Sequence, residues 1–293
     1  MDYILRATAG EGSVRVFVAT TKETVQEAFE RHKTSPVMSA ALGRALTAVS
    51  IMGSMLKSDS DLITIKINGD GEGKGLVVTG DSKARVKGYP LNPFVDIPLK
   101  PNGKLDVQAA LGEGSFTVIK DLGLKEPYVG QIPLISGEIA EDLTYYFAKS
   151  EQTPSAVSLG VLVDRDYSIK QAGGFIIQLM PDADENIIAS LEEKLRTMKP
   201  LTTLLEEGNT PEDIANILLG EFGLNILDKI PVSFYCNCSK ERVEKALISI
   251  GKEELENIIE EDEKATLHCH FCNEDYNFNK QELQDLLNKS LQK

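Results

Sequence analysis

The sequence has no cysteine before residue 236, and it is poor in positive charge. Its 31 lysines and arginines are outnumbered by 45 aspartates and glutamates, which gives a net charge of −14. A protein surface that binds nucleic acid needs clustered Lys and Arg, and so does a surface that binds an anionic membrane. The charge therefore argues against nucleic acid and membranes as partners, and thiol chemistry is confined to the last part of the chain.

The amino terminus lacks the pattern of a secretory signal. Its first residues, MDYILRATAG, have no basic stretch followed by an apolar core, so we expect a cytoplasmic protein. Cytoplasmic thiols are usually reduced, and paired cysteines there suggest metal binding or redox chemistry rather than fixed disulfides. No arrangement of a nucleophile, a histidine and an acid is visible. His32, the one histidine before residue 268, is expected on the surface of a helix.

Long apolar runs are also scarce, and the one present is SPVMSAALGRALTAVSIMGSMLK, residues 35–57. Its residues are small or apolar nearly all round, and Arg44 is its one internal charge. Such a helix is either buried on every side or spans a membrane. The arginine, the several serines and the lack of other apolar spans favour burial. We therefore expect sheets or other helices on both sides of it.

The pattern around this helix is that of an α+β core. Residues 2–20 predict a hairpin, KETVQEAFERHK and GEIAEDLTYYFAKS predict helices, and alternating apolar residues predict strands from residue 61 to residue 181. The segment NGDGEGKG looks like a phosphate-binding loop. However, Asn68 stands where that motif needs its first glycine, and Gly75 stands where it needs Ser or Thr. The segment is therefore interpreted as a glycine-rich hairpin turn.

Charge divides the chain further. Residues 182–230 carry a net charge of −7 and residues 231–293 carry −5, so the first 181 residues carry only −2. The acidic segment is predicted to form amphipathic helices, which must dock onto another surface because short isolated helices are marginal in water. The sequence thus predicts an α+β core over 1–181 with a helix buried between β-sheets, an acidic helical linker over 182–230 and a small zinc-binding domain over 231–293.

The four cysteines form a CxC pair and a CxxC pair on either side of residues 239–268. Two close pairs of thiolates can chelate one tetrahedral zinc ion. The predicted ligands of one Zn²⁺ per chain are Cys236, Cys238, Cys269 and Cys272. We expect that neither His268 nor His270 binds the metal, because a shell of four thiolates is already closed. Two short helices are predicted between the pairs, and Asn279 with Glu282 predicts the capped start of a last helix.

Three interpretations of the cysteine cluster remain open on spacing alone. A metal can simply stabilise a small domain that buries too little apolar surface. The cluster can be a redox switch, in which oxidation to disulfides removes the ligands of the ion. A thiol oxidoreductase that uses Cys269 and Cys272 is disfavoured, because no strand–CxxC–helix pattern surrounds them. A zinc enzyme is also disfavoured, because a catalytic site keeps one position open for water, so we predict that the protein is not an enzyme.

The motifs around the cysteines resemble those of a known family. CNCSKERVEKAL and CHFCNEDYNF resemble the carboxy-terminal zinc switch of the heat shock protein 33 family of redox-regulated chaperones. IKDLGLKEPYVGQIPLISGEIAEDLTYYFAKSEQTPSAVSLGVLV and AGGFIIQLMP resemble the core domain of that family. The resemblance covers essentially the whole chain in the domain order of the family, and the four cysteine positions do not depart from it.

The resemblance implies a chaperone of the ATP-independent holdase type in the bacterial cytoplasm, inactive while reduced and zinc-bound. It implies that oxidants join Cys236 to Cys238 and Cys269 to Cys272, that zinc is released and that the linker loses structure. It further implies that activated molecules form homodimers and that the core binds unfolding client proteins, which are kept from aggregating. The alternative is a constitutive zinc-stapled protein-binding module without redox switching.

Overall fold

The computed structural model describes residues 1–181 and 183–290, the last of these without its side chain. Residue 182 of the predicted linker and residues 291–293 of the predicted zinc domain lie outside the described residues. The chain divides into two compact units, Met1–Tyr235 and Cys236–Lys293. Both combine helices with sheets whose strands pair mostly antiparallel, so the predicted α+β class is confirmed.

Two sheets form the framework of the first unit. The first sheet has the strand order β10-β1-β2-β9-β8, with β1 (Tyr3–Ala9), β2 (Val14–Thr20), β8 (Ser155–Val163), β9 (Ile169–Leu179) and β10 (Asn225–Pro231). The second sheet has the order β11-β5-β4-β3-β6-β7, with β3 (Leu62–Gly69), β4 (Gly75–Asp81), β5 (Arg85–Pro90), β6 (Gly114–Asp121), β7 (Tyr128–Pro133) and β11 (Ser233–Phe234). The predicted hairpin over residues 2–20 is confirmed as β1 and β2.

Seven α-helices accompany these sheets in the described part of the first unit. They are α1 (Lys22–His32), α2 (Pro36–Ser54), α3 (Val107–Leu111), α4 (Ala140–Ser150), α5 (Glu185–Thr197), α6 (Leu201–Glu206) and α7 (Pro211–Leu219). Helix α2 contacts β2, β8 and β9 of the first sheet and β3, β4 and β5 of the second. By length and composition α2 could cross a membrane, but nearly all of it is buried inside the protein. The prediction of a helix buried between two sheets is confirmed.

The one charge within α2 is neutralised inside the unit. The Arg44 side chain is 15% exposed, and its Nη1 donates a hydrogen bond to Glu138 Oε2 at 2.5 Å. Lys100 Nζ donates to the other carboxylate oxygen of Glu138 at 2.5 Å. Burial works to raise the pKa of Glu138, but the hydrogen bonds and charges of the two cations outweigh it and lower that pKa. A partly buried carboxylate thus neutralises the charge of the arginine of α2 within the protein.

Replacing Glu138 with Gln should lower the free energy of unfolding by about 2 kcal/mol at neutral pH, because Arg44 loses its counter-ion. The folded pKa of Glu138 is lower than the unfolded one, so its contribution is full above the ordinary Glu pKa of 4.5 and is lost as the pH falls through the folded pKa. The stabilities of wild type and variant should therefore converge in acid. Urea unfolding from pH 7 to pH 3 measures this. Glu207→Gln breaks an exposed pair with Lys199 and should cost under about 0.5 kcal/mol.

The acidic segment docks on the first sheet. Apolar residues of α5, α6 and α7 form a second core cluster with side chains on the face of β1 and β2 that points away from α2. Its buried members from the helices are Ile187, Leu191, Leu201, Leu204, Leu205, Ile214, Ala215, Leu218 and Leu219. Helix α7 begins with a capping box: Asp213 N donates to Thr210 Oγ1 at 3.2 Å, and Thr210 N donates to the Asp213 carboxylate at 2.9 Å.

Two sequence predictions for this unit are wrong. Residues 225–230 were expected to continue the helical segment, but they form β10, because Gly223 in a left-handed conformation (φ 69°) ends the helices and the edge of β1 is open to pairing. The β-branched Ile226 and Ile230 also suit a strand. His32 was expected on the surface, but it is 8% exposed, because α1 lies against α2, β5, β9 and β11.

The second unit is built around a small apolar core. It contains α8 (Lys240–Ser249), α9 (Lys252–Glu261), β12 (Lys264–Cys269), β13 (Glu274–Asn279) and α10 (Lys280–Ser290). The buried apolar side chains of its core cluster are Leu247, Leu255, Ile259, Phe278, Leu283 and Leu286. The three predicted helices are confirmed, and so is the capping of α10, since Glu282 N donates to Asn279 Oδ1 at 3.0 Å. The antiparallel hairpin of β12 and β13 was not predicted.

Candidate metal centre

The four cysteines are brought together by two short segments of the second unit. Cys236 and Cys238 lie in the segment without regular secondary structure before α8, whose first turn is capped by Ser239. Cys269 ends β12, and Cys272 lies in the turn that leads into β13. Asn273 closes this turn: its N–H donates to the Cys269 carbonyl at 2.8 Å, and its own backbone is left-handed (φ 58°). A tight turn thus presents the second pair of sulfurs to the first.

The four sulfurs lie close enough together to share one metal ion. All four Sγ atoms lie within 4.8 Å of one another. The Sγ–Sγ distances are 3.3 Å from Cys236 to Cys238, 3.8 Å from Cys236 to Cys269 and 3.0 Å from Cys238 to Cys272. Zinc–sulfur bonds of about 2.3 Å place tetrahedral ligands about 3.8 Å apart. The residues therefore fit a single metal ion, and an all-sulfur donor set suits a soft or borderline ion such as zinc.

Burial is graded across the cluster. Cys272 is 3% exposed, whereas the other three cysteines are partly exposed. Three of the cysteines are therefore partly accessible to solvent, and one is shielded by the protein.

Tyr276 is a further residue of the site that the sequence did not identify. Its hydroxyl donates a hydrogen bond to Cys238 Sγ at 3.0 Å. Tyr276 lies on β13 opposite Leu267 of β12, and both contact the core cluster of the unit. A prediction of the β12–β13 hairpin would have placed Tyr276 near the turn that carries Cys272, but the short polar strands were not recognised as strands.

The thiols differ in acidity. Burial works to raise the pKa of Cys238, but hydrogen bonds from Tyr276 and from the other three cysteines outweigh it and lower that pKa to about 7. Burial and hydrogen bonds with the neighbouring sulfurs raise the pKa of Cys272. Cys238 therefore ionises more readily than Cys272, and a thiolate is the form that binds metals and reacts with oxidants.

The two histidines next to Cys269 lie beside the sulfur cluster. His268 Nδ1 lies 2.7 Å from Asp275 Oδ1 on the paired strand. The rings of His268 and His270 meet edge to face, with centroids 5.0 Å apart. Among the residues that the structure describes, the cluster of potential metal ligands consists of the four cysteine sulfurs. That neither histidine binds the metal stays a prediction.

Replacing Tyr276 with Phe should weaken metal binding about tenfold or more, because partners that donate to a ligand atom orient it and stabilise its charge. The apolar ring and its packing remain, so the unit should stay folded. Competition with a chromophoric chelator under reducing conditions measures the affinity. Tyr167→Phe removes an exposed hydroxyl in the β8–β9 turn and serves as the control, with unchanged affinity. Equal affinity in both variants would show that the hydrogen bond does not support the site.

Comparisons with known proteins place the chain in a well-populated group. The profile of the family described as Hsp33 protein matches residues 2–279. A 33 kDa chaperonin of Clostridioides difficile is 57% identical over 287 residues, which cover 98% of each protein. A 33 kDa chaperonin of Lachnoclostridium phytofermentans is 54% identical over 289 residues, which cover 99% of each. The crystal structure of a 33 kDa chaperonin (heat shock protein 33 homolog) from Thermotoga maritima is similar with a TM-score of 0.90, 36% identity and 99% coverage of each chain.

Proposed function

The chain belongs to the Hsp33 protein family, and from this premise we propose that it is a redox-regulated, ATP-independent chaperone of the cytoplasm rather than an enzyme. It would hold unfolding proteins and prevent their aggregation, as a homodimer once activated. The observation that carries the proposal is the cluster of four sulfurs within 4.8 Å of one another. In this proposal residues 1–181 form the core domain, which binds clients and dimerises. Residues 182–230 form the linker, and residues 231–293 form the zinc-binding redox switch.

The reduced form is held in its resting state by the four cysteines. Cys236, Cys238, Cys269 and Cys272 would bind one Zn²⁺, which when bound supplies a cross-link between the start of the unit and its hairpin. Among the described residues, six buried apolar side chains form the centre of this unit's core, with partly buried ones packed against them. A core of that size contributes little stability by itself, so the folding of the unit depends on the sulfur cluster.

Oxidation converts the ligands into disulfides. A thiolate attacks a peroxide: an S–O bond forms, the O–O bond breaks, and a sulfenic acid and hydroxide result. A neighbouring thiolate then attacks the sulfenic sulfur, which forms the S–S bond and expels a second hydroxide. Two electrons pass from two sulfurs to one peroxide, and protons convert both hydroxides to water. A disulfide has no thiolate left for a metal, so the unit loses its cross-link.

We propose the pairs Cys236–Cys238 and Cys269–Cys272. The resemblance to the family supports this pairing, whereas distance alone does not select it, since Cys238 Sγ is 3.0 Å from Cys272 and 3.3 Å from Cys236. Proteolysis of the oxidised protein between residues 239 and 268, followed by mass spectrometry, should yield two separate peptides with one internal disulfide each. Peptides joined through Cys238 and Cys272 would contradict the pairing.

Loss of the folded switch would release the linker. Residues 182–230 carry a net charge of −7, so repulsion within the segment favours its open form. Its leucines and isoleucines now cover one face of β1 and β2. Opening would expose both apolar surfaces to unfolding proteins, while the charge keeps the complexes soluble.

The test is a comparison of reduced and oxidised protein. Light scattering should record near-complete aggregation of a heat-unfolding client with reduced protein and strong suppression after peroxide treatment at elevated temperature, without ATP. Zinc released along the same oxidant titration, followed with a metal indicator, should rise together with protection. Equal protection by both forms would contradict the proposal.

The small core of the second unit also favours a second candidate, a constitutive zinc-stapled module that binds a partner protein. Thiol counting during the peroxide titration separates the two. The switch requires the loss of four free thiols together with zinc, whereas the module keeps both under the same treatment.

A further inference from the structure

Strand β10 is an unusual part of the first sheet, because it lies at the edge with almost all of its side chains in solvent. It pairs antiparallel with β1, from Tyr3 opposite Pro231 to Thr8 opposite Asn225. Every residue of β10 is exposed except Ile230, which is partly buried. Apolar burial therefore contributes little to its attachment.

The contacts that hold β10 are mainly those of the backbone ladder. Its side chains make two ion pairs with the rest of the sheet region: Asp228 with Arg6 at 3.8 Å, and Lys229 with Glu212 of α7. Exposed pairs of this kind stabilise a structure by about 1 kcal/mol or less. A strand held by its main chain can be replaced by another extended segment of different sequence.

Strand β1, in contrast, is a rigid element. Its residues Ile4, Leu5, Ala7 and Ala9 are at most 1% exposed, and its other edge is paired along its whole length with β2. Without β10, the outer edge of β1 would present a preformed row of unpaired N–H and C=O groups. Such an edge is a template for the addition of a strand from another chain.

We propose that the edge of β1 is a docking site for extended, apolar-rich segments of unfolding proteins, and that β10 occupies this site in the resting molecule. The proposal rests on the proposed function, in which oxidation releases the segment before the cysteines. Strand β10 ends at Pro231, and residues 232–235 connect it to Cys236.

Pairing through backbone hydrogen bonds indicates which molecules would bind at the edge of β1. Backbone hydrogen bonds do not select a sequence, and unfolding proteins have no sequence in common but all have extended backbone. Strand β10 itself displays the kind of segment expected, since Ile226 and Leu227 are apolar residues about half exposed at 46% and 51%. A second copy of the chain could place its own β10 on the same edge, and the experiment distinguishes that case.

The first experiment locks β10 in place. Because the sequence has no cysteine before residue 236, the double variant Arg6→Cys/Asp228→Cys can form a single new cross-strand disulfide between facing residues of β1 and β10. Asp228→Ser, which breaks the same ion pair without a cross-link, is the control. After peroxide both proteins should release zinc like the wild type, but the locked protein should bind a client about tenfold more weakly or worse, since a whole strand of hydrogen bonds is denied to the client.

Full protection by the locked protein would overturn the inference while leaving the proposed function intact. Absence of protection by oxidised wild type, in contrast, would overturn the proposed function and this inference with it.

The second experiment identifies the occupant. A peptide of residues 225–231 with a photoreactive end group should cross-link to residues 3–9 of the oxidised protein and not of the reduced protein. The same peptide, N-methylated at alternate residues that face β1, keeps its side chains but cannot form the ladder, and should fail to cross-link. Equal labelling by both peptides would overturn backbone recognition. In a mixture of isotope-labelled and unlabelled protein, a cross-strand disulfide between β1 of one copy and β10 of another would overturn the assignment to clients.

Discussion

Replacing Cys269 with Ser is expected to unfold most of the second unit even in the presence of reductant and zinc. A serine hydroxyl is not ionised at neutral pH and does not replace a thiolate ligand. Structural zinc contributes about 10–16 kcal/mol of apparent binding energy in small zinc domains, which exceeds the usual stability of a domain of this size. The part of the unit that the structure describes has six buried apolar side chains in its core, which by themselves contribute little stability.

Hydrogen exchange measures this loss residue by residue. Amides of α8, α9 and α10 should lose their protection in Cys269→Ser, while those of α2 in the first unit should exchange at wild-type rates. His268→Ala is the control, because this neighbour of Cys269 is hydrogen-bonded to Asp275 and is not part of the sulfur cluster. It should leave both the metal content and the protection of the amides unchanged. Unchanged exchange in Cys269→Ser would show that the sulfur cluster does not hold the unit together.

Replacing Gly75 with Ala is expected to destabilise the first unit by about 3 kcal/mol or more. Gly75 begins β4 at the end of the glycine-rich turn, with a positive φ of 129°. A Cβ atom there would lie 1.9 Å from the carbonyl oxygen of Ile67 on the paired strand β3. Both the backbone and the hydrogen-bonded ladder would have to shift to relieve this overlap.

A second glycine separates the overlap from backbone strain alone. Gly103 also has a positive φ, 78°, but a Cβ atom there would meet nothing within 4 Å. Gly103→Ala should therefore cost only about 1 kcal/mol, the usual strain of an L residue in a left-handed backbone conformation. Urea unfolding followed by far-ultraviolet circular dichroism compares the two. Similar losses in both variants would mean that the approach of Ile67 has no special cost.

The glycine-rich turn also illustrates what a local pattern can decide. Departures from the phosphate-loop motif at two positions, Asn68 and Gly75, were enough to predict a hairpin turn, and β3 and β4 are joined by one in which Gly69 N donates to the Lys74 carbonyl at 2.9 Å. The buried helix was predictable for a related reason. A segment that is apolar all round has few stable environments, and one internal arginine made the protein interior the better choice over a membrane.

Features that depend on distant partners were missed. Ile226 and Ile230 sit in a segment that follows three helices, and only the open edge of β1, more than two hundred residues earlier in the chain, makes them a strand. The burial of His32 depends in the same way on α2 and on strands of both sheets. The role of Tyr276 depends on a hairpin whose polar strands carry a weak alternation signal.

The sequence by itself determined the thiol cluster, the buried helix, the division of charge and the family resemblance. Each of these depends on residues that are neighbours in the chain or, for the cysteines of each pair, two or three positions apart. Tertiary structure alone decided that Glu138 neutralises Arg44, that Tyr276 donates to Cys238, and that β10 closes the edge of β1. These contacts join residues that are far apart in the chain or lie on strands that only pairing defines. Their partners become neighbours only when burial of apolar surface has folded the chain.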